Sequence, residues 1–200
     1  MFNDLSSPAA FLASRRSGKP RDMVAPGPDE AQLRRILSSA IRTPDHGKLA
    51  PWRFVIIAAD RRDAFAALLH RAYCETKPDP GRAEQKAIED FAKQAPALVV
   101  AISCPNHASS IPVWEQELSA GAACMNLLAA ALAEGFVGGW VTGWAAYSQT
   151  VRAAFAPEGR IAGFIFLGSP SRPLEEWPRP EYDDVISQWE ETRTSSGSAA

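Results

Sequence analysis

The sequence predicts an α+β fold in which helices are layered on a single sheet of four strands. Three observations carry that reading. Residues 96–104, PALVVAISC, are a continuous apolar run, as expected of a central strand covered on both faces. Residues 118–132 contain no charged side chain, and their apolar positions occupy more than one face of a helix. Such a helix is predicted to be buried on all sides. Helical and strand-like segments interleave along the chain, with the larger mass helical.

The first helix is predicted from Ser7 or Pro8 to about residue 16, with Leu5, Phe11 and Leu12 as its apolar residues and Gly18 as its C-terminal cap. Residues 19–28, rich in Pro, read as loop. Asp29 and Glu30 open the second helix, placing acids at the positive end of its dipole. Leu33, Ile36, Leu37, Ala40 and Ile41 give its apolar stripe, and Thr43-Pro44 stops it. Residues 52–58, WRFVIIA, are β-branched and aromatic and read as a strand. A helix follows from Asp60 to about Thr76, with Phe65, Leu68, Leu69 and Tyr73 inward. Residues 82–94 read as a surface helix anchored by Ile88 and Phe91. The central strand comes next, then the long apolar helix. Residues 136–144 read as a third strand with Trp140 and Trp144 on one side. A short helix at 149–156 and a strand at 160–167, RIAGFIFL, complete the series.

After Pro170 the composition changes. Pro173, Pro178 and Pro180 interrupt any regular element, and Glu175, Glu176, Trp177 and Tyr182 alternate charge with aromatics. The organisation is therefore a domain over residues 1–170 and an extension over 171–200. A turn or two of helix fits within 183–192, and residues 194–200 read as disordered.

The chain has 200 residues and a formal net charge of −2, with 21 basic and 23 acidic residues. That balance speaks against a nucleic-acid-binding surface. Cys74, Cys104 and Cys124 are widely spaced and form no CxxC, so neither a disulfide framework nor a metal site is predicted. A reducing, cytoplasmic setting fits. The N-terminus has no secretory signal, and the long helix opens with Glu115 and Glu117 and lacks basic flanks, which disfavours a membrane span.

Three stretches hold candidate chemistry. Arg15-Arg16-Ser17 offers two guanidinium forks and a hydroxyl suited to phosphate. Read alone, it is better taken as arginines complementing a helix C-terminus. The loop Arg42-Thr43-Pro44-Asp45-His46-Gly47-Lys48-Leu49-Ala50-Pro51 is denser in polar groups than a connector needs, and a plain solvated loop is the alternative. Gly138-Gly139-Trp140-Val141-Thr142-Gly143-Trp144 allows a close approach to the backbone, as would a kinked strand with buried indoles. On pattern alone the long helix is the core of a monomer, although its small residues 119–123 would let a second helix come close.

Together these stretches resemble the nitroreductase family of flavin enzymes, over about residues 10–170. Arg15-Arg16-Ser17 is similar to the family's R-R-S. Residues 42–54, RTPDHGKLAPWRF, resemble the R-A-P-D-H…P-W-x-F of its small bacterial branch. Residues 114–121 and 135–140 resemble the branch's central helix and its exit, and Leu167-Gly168-Ser169-Pro170 the end of its last strand. The resemblance implies a layered fold with a mostly antiparallel sheet of four to five strands, in an intertwined homodimer. It implies FMN bound without a covalent link at the dimer interface, with NAD(P)H as co-substrate. Arg15, Arg16 and Ser17 are the implied phosphate and ribityl contacts, with Arg42 and His46 reaching the cofactor across the dimer. Trp140, Val141 and Thr142 are the implied opposite wall, and Arg172 a further phosphate contact. No catalytic side chain is implied. Residues 119–123 become the close-packed part of the dimer seam. The implied activity is hydride transfer through flavin to a nitroaromatic, quinone or similar small acceptor by a ping-pong route. A carrier, a sensor or a flavin-dependent dehydrogenase stands as the alternative. The chain departs from the wider family's Ser-x-x-Asn-x-Gln by placing Asp45, Lys48 and Ala50 at those positions.

Overall fold

The computed structural model of the chain describes residues 3–189. Its helices are α1 (Pro8–Ser14), α2 (Glu30–Ala40), α3 (Arg62–Cys74), α4 (Arg82–Lys93), α5 (Val113–Ala133), α6 (Gly143–Tyr147), α7 (Gln149–Phe155) and α8 (Tyr182–Val185). Its strands are β1 (Met23–Val24), β2 (Trp52–Ile56), β3 (Ala97–Ser103), β4 (Val137–Val141) and β5 (Arg160–Pro170). The sheet runs β1-β5-β3-β2, with β4 also paired to β5, and every pairing is antiparallel.

The sheet lies between two helical layers, and the alternation of β3 and β5 shows why. Leu98, Val100, Ile102, Phe164 and Phe166 point toward α3, α4 and α7, where they meet Phe65, Leu69 and Ile88. Val99, Ala101, Ile165 and Leu167 point the other way, onto α2 and α5, where they meet Ile36, Ala40, Cys124 and Leu127. Phe91 anchors α4 by packing edge-on against Phe164 and Phe166, each at 5.4 Å between ring centres. The continuous apolar run of β3 is thus a strand covered on both sides.

The ends of the elements follow local chemistry. Ser7 caps α1 by accepting from the Ala10 N–H, with Pro8 in the first turn. Asp29 and Gln32 form a reciprocal capping box at α2. Helix α5 ends in a Schellman turn: the Gly135 N–H bonds to Leu132 O and the Phe136 N–H to Ala131 O, with Gly135 at φ +89°. Arg35 then clamps Glu134 through two hydrogen bonds of 2.8 and 2.7 Å, joining α2 to the end of α5.

Several sequence expectations change. The two-residue strand β1 was not anticipated, because it is too short to carry a periodic signal. Gly18 is not the cap of α1. Arg15 closes that helix, and Gly18 instead pairs with β4. The third strand stops at Val141, and Trp144 belongs to α6, so Trp140 and Trp144 do not share a strand face. Helix α5 is not buried all round: Trp114 and Leu118 are 62% and 61% exposed. Within 119–123, Ser119, Ala120 and Ala123 face inward, where both alanines pack beside Trp52. Only Gly121 and Ala122 are left toward the open side, which narrows the predicted seam. The helix expected within 183–192 is a single turn at Tyr182–Val185. The predicted disorder of 194–200 lies outside the described residues. No helix among the described residues is long and apolar enough to cross a membrane.

Candidate functional site

Beyond α1 the chain straightens and lies alongside β4. The Gly18 N–H donates to Gly138 O at 3.0 Å. That approach requires Gly139, while Gly138 makes room for α5 on the other face. A Cβ on Gly139 would stand 2.6 Å from Gly18 O, and one on Gly138 would stand 2.5 Å from a methyl of Leu128. The result is a groove of about 350 Å³. Arg15, Ser17 and Lys19 form one side, and Gly139, Trp140 and Val141 the other. Met125 and Leu128 of α5 form its floor, and Trp177 lies at its rim.

Trp140 is held in place by its indole N–H, which donates to Ala162 O at 2.9 Å. The ring folds over Gly163, where any Cβ would fall 2.1 Å from the indole nitrogen. Thr142 points elsewhere. With Tyr73, Phe91 and Trp144 it lines a separate apolar cavity of about 280 Å³ between α3, α4 and the start of α6.

Three of the basic residues around the groove are partnered by acids. Arg16 pairs with Glu176, Lys19 with Glu175 at 2.7 Å, and Arg172 with Asp22. The Lys19 ammonium also stands 5.6 Å from the centre of the Trp177 ring. Hydrogen bonding to Lys19 and to Arg16 holds the carboxyls of Glu175 and Glu176 below the usual range. Arg172 faces a small cleft shared with Ser17 and Met23, on the far side of Gly18 from the groove.

The loop after α2 is pinned along α5. Asn126 donates to Thr43 Oγ1 at 2.7 Å, and the Ser119 hydroxyl donates to Pro44 O at 2.9 Å while accepting from the Trp52 indole at 3.2 Å. His46 Nδ1 meets Glu115 Oε2 at 2.8 Å. Gly47, Lys48 and Ala50 all have positive φ, so this loop holds a costly, over-determined conformation. It leaves Arg42 and His46 exposed beside the open side of α5.

One chain therefore gathers Arg15, Ser17, Trp140 and Val141 around a single groove, with Arg16 alongside. It does not bring Arg42, His46, Thr142 or Arg172 into that groove. Sequence reasoning missed Lys19, Glu175, Glu176 and Trp177. Their signal was the alternation of acids and aromatics after Pro170, which is legible only once the chain is seen to double back over residues 16–19.

The family model described as "Nitroreductase family" matches residues 12–169. An Escherichia coli (strain K12) protein named "Putative NAD(P)H nitroreductase YdjA" is 34% identical over 162 residues, covering 80% of this chain and 86% of that protein. Among solved structures, a nitroreductase-like family protein from Bacillus cereus superimposes with a TM-score of 0.80 at 20% identity, over 96% of this chain and 100% of that one. The FMN and NADPH-dependent nitroreductase NfnB from Sphigopyxis sp. strain HMH superimposes with a TM-score of 0.70 at 20% identity, over 93% and 100%.

Proposed function

The chain belongs to the nitroreductase family, and from that premise we propose that it is an FMN-dependent NAD(P)H oxidoreductase acting on a small oxidised acceptor. The carrying observation is the groove itself: a cationic wall at residues 15–19 faces Gly139, Trp140 and Val141 of β4 within the family-matched stretch. The residues present fit the cofactor. Arg15, Arg16, Ser17 and Lys19 supply phosphate-binding donors, and Gly139, where a Cβ would meet Gly18 O and Pro20, lets the segment that carries them lie close against β4. FMN, when bound, supplies the two-electron chemistry, taking a hydride from NAD(P)H and passing it to an acceptor such as a nitroaromatic or quinone in a ping-pong sequence.

The chain's own residues bind, orient and exclude water. Trp140, fixed by its bond to Ala162, and Val141 form a rigid wall. The arginines add positive charge where the loaded site gains negative charge. Arg42 and His46 stand beside the apolar strip of Trp114, Leu118 and Ala122, which suits a second copy of the chain docking there. That arrangement would carry both residues to the partner's groove and complete it. Residues 171–200 lie beyond the family-matched stretch and act as an extension of the domain. Three free cysteines suit a reducing cytoplasm.

The test is anaerobic mixing of the FMN-loaded protein with NADH and then NADPH, followed by nitroaromatic and quinone acceptors. Bleaching of the flavin absorbance, and its return with an acceptor, is expected. A protein that takes up no FMN refutes the reading. Bound FMN that neither nicotinamide bleaches would make the protein a carrier or sensor.

A further inference from the structure

We propose that residues 175–177 are a built-in anionic strap that occupies the phosphate end of the cofactor groove and must yield when the phosphate of FMN arrives. The proposal rests on the FMN reading above and adds a device to it. The strap's root is fixed. The Ser171 N–H and hydroxyl both donate to Asp22 O, at 2.9 and 2.8 Å, Arg172 pairs with Asp22, and Leu174 packs on the core. Its tip is exposed and is flanked by Pro173 and Pro178. From that tip Glu175 takes Lys19 and Glu176 takes Arg16, while Arg179 backs Glu176 at 2.9 Å. Trp177 lines both the groove and the neighbouring small cleft, so the tip lies over their common rim.

Three cations at Arg15, Arg16 and Lys19 repel one another unless an anion sits among them. The two carboxylates supply that anion from the same chain. A phosphate dianion needs the same donors and would be repelled by both carboxylates, so strap and phosphate exclude each other at Arg16 and Lys19. The contacts are exposed and individually weak, as suits a cover that has to leave. The strap also begins beyond residue 169, where the family match ends.

The experiment is titration of the full-length protein and of the E175Q/E176Q variant with FMN and, separately, with riboflavin, which lacks the phosphate. Flavin fluorescence is read at low and at high salt. The double variant is expected to bind FMN about three- to tenfold more tightly at low salt, with riboflavin affinity unchanged and the FMN gain shrinking as salt rises. Unchanged or weaker FMN binding by the variant would overturn the strap while leaving the FMN site standing. Equal tightening toward both flavins would also overturn it, since that marks loss of a cover rather than loss of a competing charge. If neither protein binds either flavin, the site assignment and the strap fall together. Gln keeps the shape of Glu, and a thermal melt of the variant checks that the fold is retained.

Discussion

Leu127 and Leu118 lie on the same helix, and both belong to a stretch without charge. Leu127 is completely buried against the sheet, whereas Leu118 is 61% exposed. The same contrast separates Ala123, packed beside Trp52, from Ala122, which faces outward. One face of α5 is completed by its own chain through β3, β5 and α2. The other presents Trp114, Leu118 and Ala122 with the loop of Arg42 and His46 alongside. An apolar helix can thus complete the core on one side while its other side stays open, and that open side is where the proposed dimer would form.

The contrast is sharpest where a truncation hits each face. Leu127→Ala is expected to cost about 2–5 kcal/mol of fold stability, measured by denaturant unfolding. Leu118→Asp should leave the unfolding midpoint of the isolated chain nearly unchanged while abolishing self-association and flavin retention on a sizing column. Equal destabilisation by both would break the distinction.

Enlargement gives the next largest effect. Ala123→Leu should overpack the core by about 1–3 kcal/mol. Ala122→Leu should spare the fold and act on the dimer and the flavin. Comparing thermal melts with light scattering separates the two.

Charge removal at the groove comes third. Arg16→Ala should weaken FMN binding about tenfold or more and leave riboflavin binding unaltered, since only the phosphate contact is lost. His46→Ala, on the open side, should weaken FMN only under conditions where the protein self-associates.

The smallest effect lies on the other side of the sheet, at the turn between α3 and α4. There the Glu84 carboxylate accepts from Lys77, the Tyr73 hydroxyl and the Gly81 N–H. These partners, Lys77 foremost, hold it at about 2 rather than its ordinary 4.5. A folded-state value below the unfolded one means that the tie contributes above about pH 4.5 and is lost as pH falls through about 2. Hydrogen-exchange protection over residues 75–81, taken relative to the intrinsic exchange rate at each pH, should therefore be present at pH 5 and fall in strong acid. Glu84→Gln should lower that protection already at pH 5, with no change in FMN affinity.

How much of this was legible in the sequence differs by region. Strands β3 and β5 and helices α2, α3 and α5 were readable because each carries a periodic or continuous apolar pattern, and α4 because a polar stretch is anchored by Ile88 and Phe91. The join between β4 and α6 was not. Gly138-Gly139-Trp140 and Gly143-Trp144 look alike as composition, but the turn into α6 at Gly143, with φ +65°, falls between them. In the groove, Arg15, Ser17 and Trp140 could be named because each sits in a compact motif. Lys19 and the Glu175–Trp177 tip were hidden because their pairing joins residues about 160 positions apart, which no local pattern encodes. The outward face of α5 was hidden for a different reason. Apolarity alone does not say whether a face is covered by the same chain or by another.

The measurement that bears most directly on the two-faced helix is sedimentation equilibrium with simultaneous detection of flavin absorbance, on the wild-type protein and on Leu118→Asp. A wild-type dimer carrying one FMN per chain, and a variant that sediments as a folded monomer without flavin, is the predicted result. A monomeric variant that keeps FMN at wild-type affinity would contradict the account, because the groove of a single chain would then be complete in itself.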